Sequence, residues 1–261
     1  VKLPILMAGE PLSAAQKTVY QSIVGAGLYI ARISRPDLMY AVWFLACGMS
    51  APTEPMWKQA VHFLRYCKQT APVLLTYTRP GCIARTPVLE PLDLSLFSYD
   101  CTRLFAFSDS NYEAGRSVSC HVIMYNGAAL MWEVKKQDTV ALSTVEAETA
   151  ACSSAAQSIV FSRDIADFMD YDVGAETTLF CDNRGAIENA RHPCYSNKLR
   201  HVENTIFFIR EIVERGFALL EWIDGNLNPS DLGTKAVGAR LHRIYGCFLQ
   251  GCPLFDADGK I

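Results

Sequence analysis

The chain has 261 residues, half of them hydrophobic, with 16 Gly, 12 Pro, and 24 Lys and Arg against 27 Asp and Glu. That composition excludes a disordered, collagenous or coiled-coil chain and leaves room for one large domain or two. The net charge of −3 hides a division, since residues 1–95 carry nine basic and five acidic side chains while residues 96–261 carry fifteen and twenty-two. An acidic block ordinarily speaks against a nucleic-acid partner, unless several of its carboxylates hold metal ions that neutralise them.

Taken in chain order, Ser13 to Ile33 has apolar residues at helical intervals, with Ser13 placed to cap the start. The pattern breaks at Arg35-Pro36-Asp37, and a second helix is expected from Pro36 to Met49, with its proline in the first turn. A third is expected from Thr53 to Gln69, opened by a capping-box-like Thr53-Glu54-Pro55. Pro80-Gly81 and the mixed stretch to Asp93 read as a linker, which places a boundary near residue 95. Beyond it, Leu104–Phe107, Cys120–Tyr125 and Ala129–Trp132 read as three strands. The Asn126-Gly127 pair between the last two is a strong hairpin signal. An Ala-rich helix from Thr144 to Met169 precedes a fourth strand, Thr177–Cys181. Helices follow near Gly185–Ala190 and Val202–Arg215, then a fifth strand near Phe217–Ile223 and a helix opening at Pro229 or Ser230.

The ten cysteines include no C-x-x-C pair, and a chain of this size does not need a disulfide framework. Reduced, mostly buried thiols in an intracellular, reducing compartment are expected. His192, Cys194 and His201 lack a fourth zinc ligand. The longest apolar stretch, Met39 to Met49, is too short to cross a bilayer, so no membrane partner is expected.

Carboxylates occupy unusual places. Asp109 is expected at the end of the first strand, Asp182 at the end of the fourth, and Asp231 in the first turn of the last helix. Crowding such groups is expensive unless something positive holds them. The long helix opens with Glu146-Ala147-Glu148, and residues two apart face different sides, so one of these glutamates points at the strand ends. Four converging hard oxygen donors suit divalent magnesium and two-metal phosphodiester chemistry. Taken singly, each has an ordinary reading as a turn residue, a cap, a first-turn charge or a solvated helix face.

Order and context carry a resemblance. Ser108-Asp109-Ser110, Trp132 through Lys135-Lys136-Gln137, Thr139 through Ser143-Thr144-Val145-Glu146-Ala147-Glu148, and Cys181-Asp182-Asn183 resemble the ribonuclease H domain of copia-type LTR retrotransposons. Lys198-Leu199-Arg200-His201-Val202, Phe207-Phe208-Ile209-Arg210-Glu211 and Ser230-Asp231-Leu232-Gly233-Thr234-Lys235 continue it in order. Upstream, Tyr20 to Gly25, Leu28-Tyr29, Arg35 to Leu38 and Phe63 to Lys68 resemble the end of the reverse transcriptase and its connection to that domain.

The resemblance implies an α/β fold, a ribonuclease H-like mixed five-stranded sheet with flanking helices. Residues 1–95 would form a mainly helical connection segment and 96–236 the ribonuclease H-like domain, with 237–261 a tail of no assigned role. It implies hydrolysis of the RNA strand of RNA–DNA hybrids with two Mg2+ ions, Mn2+ being a possible substitute. It also implies catalytic, metal-holding roles for Asp109, Glu148, Asp182 and Asp231. Glu148 is preferred to Glu146 because the family's acid is the second of the pair. By resemblance Asp109 would bridge both ions, Asp231 would serve the ion that activates water, and Glu148 and Asp182 would hold the ion on the leaving-group side.

Lys135 and Lys136, expected in the loop before the long helix, and Lys198, Arg200 and His201, before the next, are candidates for phosphate contacts, with the ordinary reading of solvated charge beside each. Hybrid recognition is expected to use 2′-hydroxyls rather than base sequence. No Tyr-x-Asp-Asp polymerase motif occurs, so the polymerase portion is an expected partner outside this sequence. The chain departs from the family pattern at Thr149, where an aromatic is usual, and at Asn111-Tyr112-Glu113, which replaces a Trp-containing turn. It also has no histidine in the 224–230 loop, a group that assists many cellular ribonucleases H. The alternative from another class is a non-catalytic, retroelement-derived module in a larger host assembly, with Met39–Met49, Trp43 and Trp57 offering a partner face.

Overall fold

Residues 8–77, 103–112, 115–191 and 203–251 are described by the computed structural model. The expected boundary near residue 95 lies outside them, as do Lys198, Arg200, His201 and the His192–Cys194 pair.

Helix α1 spans Ala14–Ile33, and Ser13 and Gln16 form a reciprocal capping box at its start. A 3-10 turn over Pro36–Leu38 leads into α2, Met39–Cys47, and α3 spans Glu54–Gln69. Thr53 is the N-cap of α3, but its side chain makes no capping hydrogen bond. The expected capping box is not formed, and proline in the first turn starts the helix instead. Tyr20, Val24, Val42, Leu45, Met56 and Phe63 join these helices in one apolar cluster.

The sheet contains β1, Phe105–Asn111; β2, Val118–Tyr125; β3, Ala128–Lys136; β4, Thr177–Cys181; and β5, Ala218–Trp222, in the order β3-β2-β1-β4-β5. The first three are antiparallel neighbours, whereas β4 and β5 run parallel to β1. This is the mixed five-stranded, ribonuclease H-like sheet that the sequence implied. Asn126 (φ 50°) and Gly127 (φ 80°) make the two-residue hairpin turn, a left-handed pair that asparagine and glycine tolerate best.

Two strands run further than propensity indicates. β1 continues through Ser108-Asp109-Ser110 because β2 pairs with it as far as Asn111–Val118. Asp109 is therefore inside the strand rather than at its end. β3 continues to Lys136, paired with Val118, so Lys135 and Lys136 lie on a strand rather than in the loop before the next helix.

Helix α4, Thr144–Phe168, packs on one face of the sheet, where Cys152, Ala155 and Ile159 meet Ala106, Ile123 and Leu179. Helices α5, Arg184–Arg191, and α6, Glu203–Glu214, add Ile187, Ile209 and Ile212 to that cluster. The opposite face packs Phe105, Phe107, Val122 and Met124 against Leu232 of the one-turn α7, Asp231–Thr234, and Ile244, Tyr245 and Leu249 of α8, Ala239–Gln250. Helix α8 lies in the stretch that the sequence left without a role. Among the described residues no helix is long and apolar enough to cross a membrane.

Candidate active site

Strands β1 and β4 run parallel with Phe107 opposite Phe180, which brings Asp182 at the end of β4 level with Asp109. Alternation along β1 turns Ser108 toward α4, where its hydroxyl lies 3.3 Å from the Cys152 thiol. Asp109 faces the other way, toward α7. The one-turn helix approaches β2 so closely that a Cβ on Gly233 would sit 2.3 Å from Cys120 Sγ. Glycine there lets Asp231, Thr234 and Lys235 reach the strand.

The carboxylate oxygens of Asp109, Asp182 and Asp231 lie within 4.8 Å of one another. A second group shares Asp182, joining Glu148 and the Cys181 thiol within the same distance. All four predicted acids therefore meet at one end of the sheet. Glu148 is held by the Ser110 backbone N–H and hydroxyl, which donate to its Oε1 at 3.2 and 2.9 Å, while its buried Oε2 has no hydrogen-bond partner among the described residues. Glu146 is used otherwise. Its carboxylate accepts from the Leu142 N–H at 2.7 Å, and its own N–H donates to Ser143, the N-cap of α4. The two-residue spacing thus separates a capping glutamate from one that reaches the cluster.

Burial and crowding raise Asp109, Glu148 and Asp182. The Asp109 carboxyl, 1% exposed, is pushed up to about 7, chiefly by burial. Lys235 and a hydrogen bond from Thr234 oppose the shift, and Asp231 and Asp182 add to it. Glu148 is pushed up to about 10 by burial and then by Asp109, Cys181 and Asp182. Asp182 is raised by burial, with Lys235 opposing and Asp231 reinforcing. Three carboxyls raised in this way, with Asp231 crowded against two of them, favour either protons or a cation.

Three residues that sequence reasoning gave no role complete the cluster. Lys235 Nζ stands 2.7 Å from Asp231 Oδ1 and 3.4 Å from Asp109 Oδ1, and the Thr234 hydroxyl donates to Asp109 Oδ2. Both lay in the run that carried the resemblance. Asn228 is fully buried. Its amide donates to the Ser108 carbonyl at 2.9 Å, and its Oδ1 accepts from the N–H and hydroxyl of Ser230. It ties the loop before α7 to the backbone beneath Asp109. No sequence signal marked it beyond its place ahead of a proline.

The predicted phosphate contacts fare differently. Lys135 pairs with Asp138 at 3.1 Å on the surface, and Lys136 lies close enough to Cys47 to act on its thiol. Neither bonds to the four carboxylates. Lys198, Arg200 and His201 are outside the described residues.

No protein-family model matches the sequence. The chain is 25% identical over 221 residues to the retrovirus-related Pol polyprotein from transposon TNT 1-94 of Nicotiana tabacum, a match that covers 85% of this chain and 15% of the polyprotein. It is 34% identical over 146 residues to the secreted RxLR effector protein 161 of Plasmopara viticola, covering 54% of this chain and 89% of that protein. Among solved structures, ribonuclease H1 of Halobacterium salinarum aligns with 49% of this chain and 90% of its own, at 16% identity and a TM-score of 0.39. The chain thus spans a small part of the tobacco polyprotein and most of the Plasmopara protein.

Proposed function

We propose, because this chain belongs to the family of copia-type retrotransposon Pol polyproteins as a segment that includes their ribonuclease H domain, that it cleaves the RNA strand of RNA–DNA hybrids. The observation that carries this reading is the convergence of an oxygen from each of Asp109, Asp182 and Asp231 within 4.8 Å, with a buried Glu148 oxygen beside them that has no hydrogen-bond partner among the described residues. Hard oxygen donors in a set that only positive charge can relieve fit Mg2+, with Mn2+ as a substitute. Asp109, Glu148, Asp182 and Asp231 would hold two such ions. When bound, these would supply an activated water and stabilise the leaving oxygen of a phosphodiester.

The chain's own residues do the positioning. Ser110 and Thr234 fix the Glu148 and Asp109 carboxylates, and Lys235 offsets the charge of Asp109 and Asp231. A polyanionic strand is repelled by this cluster until cations bind, so metal and substrate binding are coupled. The polymerase portion of the polyprotein, lying outside this sequence, is the natural partner, in a reducing intracellular compartment.

The test is a hybrid labelled on either strand, incubated with Mg2+ beside single-stranded RNA and duplex DNA. Scission confined to the hybrid's RNA strand is expected. Equal cleavage of duplex DNA, or none with Mg2+ or Mn2+ from a folded protein, would reject the reading. The second outcome would favour a non-catalytic module. That alternative draws support from the Plasmopara relative, a protein named as an effector and matched over most of its length.

A further inference from the structure

A cation beside the carboxylate cluster takes no part in it. Arg184 opens α5, two residues beyond Asp182, and its guanidinium carbon lies 4.3 Å over the indole of Trp222 at the end of β5. Trp222 is 44% exposed, and its indole N–H donates to the backbone carbonyl of Asp182 at 3.1 Å. The stacked pair is thereby fixed to the backbone of one of the four acids. Arg184 is itself exposed, and among the described residues nothing accepts a hydrogen bond from its guanidinium or pairs with its charge. The nearby Glu221 is engaged by Arg191 at 3.4 Å instead.

The first turn of a helix is an unfavourable place for a cation, because the macrodipole already makes that end positive. Helix α5 has no acidic residue in its first turn to compensate. The contact with Trp222 holds the guanidinium but leaves its N–H donors unused among the described residues, which points to an acceptor from outside. A guanidinium held over an indole face loses freedom while keeping its fork of N–H donors, and that fork matches phosphate oxygens two at a time.

We propose that Arg184, held by Trp222, grips a backbone phosphate of the nucleic-acid substrate beside Asp182. The proposal rests on the hybrid-cleaving reading above and adds a contact that sets affinity and register. Such a contact is blind to base sequence. Arg184 and Trp222 are positioning residues, and their loss acts on substrate binding rather than on the chemical step.

The test measures binding of a fluorescein-labelled RNA–DNA hybrid by anisotropy in Ca2+, across a salt series, together with steady-state cleavage in Mg2+. Arg184→Ala is expected to raise Kd and KM about tenfold with kcat within about twofold, and to reduce the slope of log Kd against log salt by about one. Arg184→Lys recovers only part of the affinity, because it lacks the fork. Trp222→Leu follows Arg184→Ala, whereas Trp222→Phe keeps an aromatic face and stays nearer the parent. Melting temperatures of all four establish that they fold. A parent that binds and cleaves hybrid while Arg184→Ala shows the same Kd, KM and salt slope would overturn this proposal alone. A loss confined to kcat would do the same. A parent that binds no hybrid would overturn the hybrid-cleaving reading and this one together.

Discussion

At the residue scale, Asp109 links the charge of the site to the stability of the chain. Its carboxyl is pushed up to about 7, above the value near 4 of an unfolded aspartate, so between those pH values the folded chain binds a proton that the unfolded chain has released. The stability this group contributes is full below about pH 4 and is lost as pH rises through about 7. Glu148, pushed up to about 10, extends the same trend to higher pH. With a chelator present, the stability of the parent relative to Asp109→Asn should therefore fall from about pH 4 to pH 7, measured by chemical denaturation. Added Mg2+ should reverse that fall, with a larger gain at about pH 8 than at about pH 5. A pH-independent difference would show that Asp109 is not buried among like charges. The sequence made the four acids legible through their order along the chain. It did not reveal Lys235, Thr234 or Asn228, because their contacts with Asp109 and Ser108 join residues 120 to 126 positions apart.

At the element scale, the long helix, the fourth strand and the Asn126-Gly127 hairpin were readable because propensity, pattern and turn chemistry agree there. The ends of β1 and β3 were not. Ser108-Asp109-Ser110 and the charged Glu133, Lys135 and Lys136 are poor strand formers, and the ladder with β2 extends the strands through them. That extension places Asp109 within a hydrogen-bonded strand and allows Asn228 to reach the Ser108 carbonyl. Asn228→Ala should strand that buried carbonyl and the Ser230 groups, costing about 1–3 kcal/mol. Because α7 would lose its tie to β1, cleavage should fall more than stability alone explains. Denaturation and turnover at a temperature where the variant is folded check this. A variant with parental stability and rate would mean that the loop before α7 holds itself.

At the scale of the whole molecule, a buried polar network joins the N-terminal helices to α8. Arg35 and Asp37, 7% and 2% exposed, pair at 2.8 Å; Tyr66 donates to Asp37 at 2.8 Å. Gln250 Nε2 also donates to Asp37 at 2.8 Å, and His242 bonds its backbone carbonyl at 3.1 Å. Across the sheet, the Trp132 indole N–H donates to the Ala31 carbonyl at 2.7 Å. Charge counting showed two blocks of opposite sign but not this connection, since Asp37 and Gln250 are 213 positions apart. Asp37→Ala leaves the buried Arg35 charge uncompensated and should cost about 3–5 kcal/mol, with the helical segment and the sheet unfolding in one transition. Two separate transitions would show that the network does not couple them.

The most direct test of the four-acid site is the dependence of hybrid cleavage on Mg2+ concentration, measured for the parent and for Asp109→Asn, Glu148→Gln and Asp182→Asn. Scission of the RNA strand that rises with Mg2+ and is abolished in each variant is predicted, with Asp182→Asn within about 1 kcal/mol of parental stability or above it, since it removes one of several repelling charges. Cleavage that survives loss of any two of these acids singly, or strong unfolding of Asp182→Asn, would contradict it.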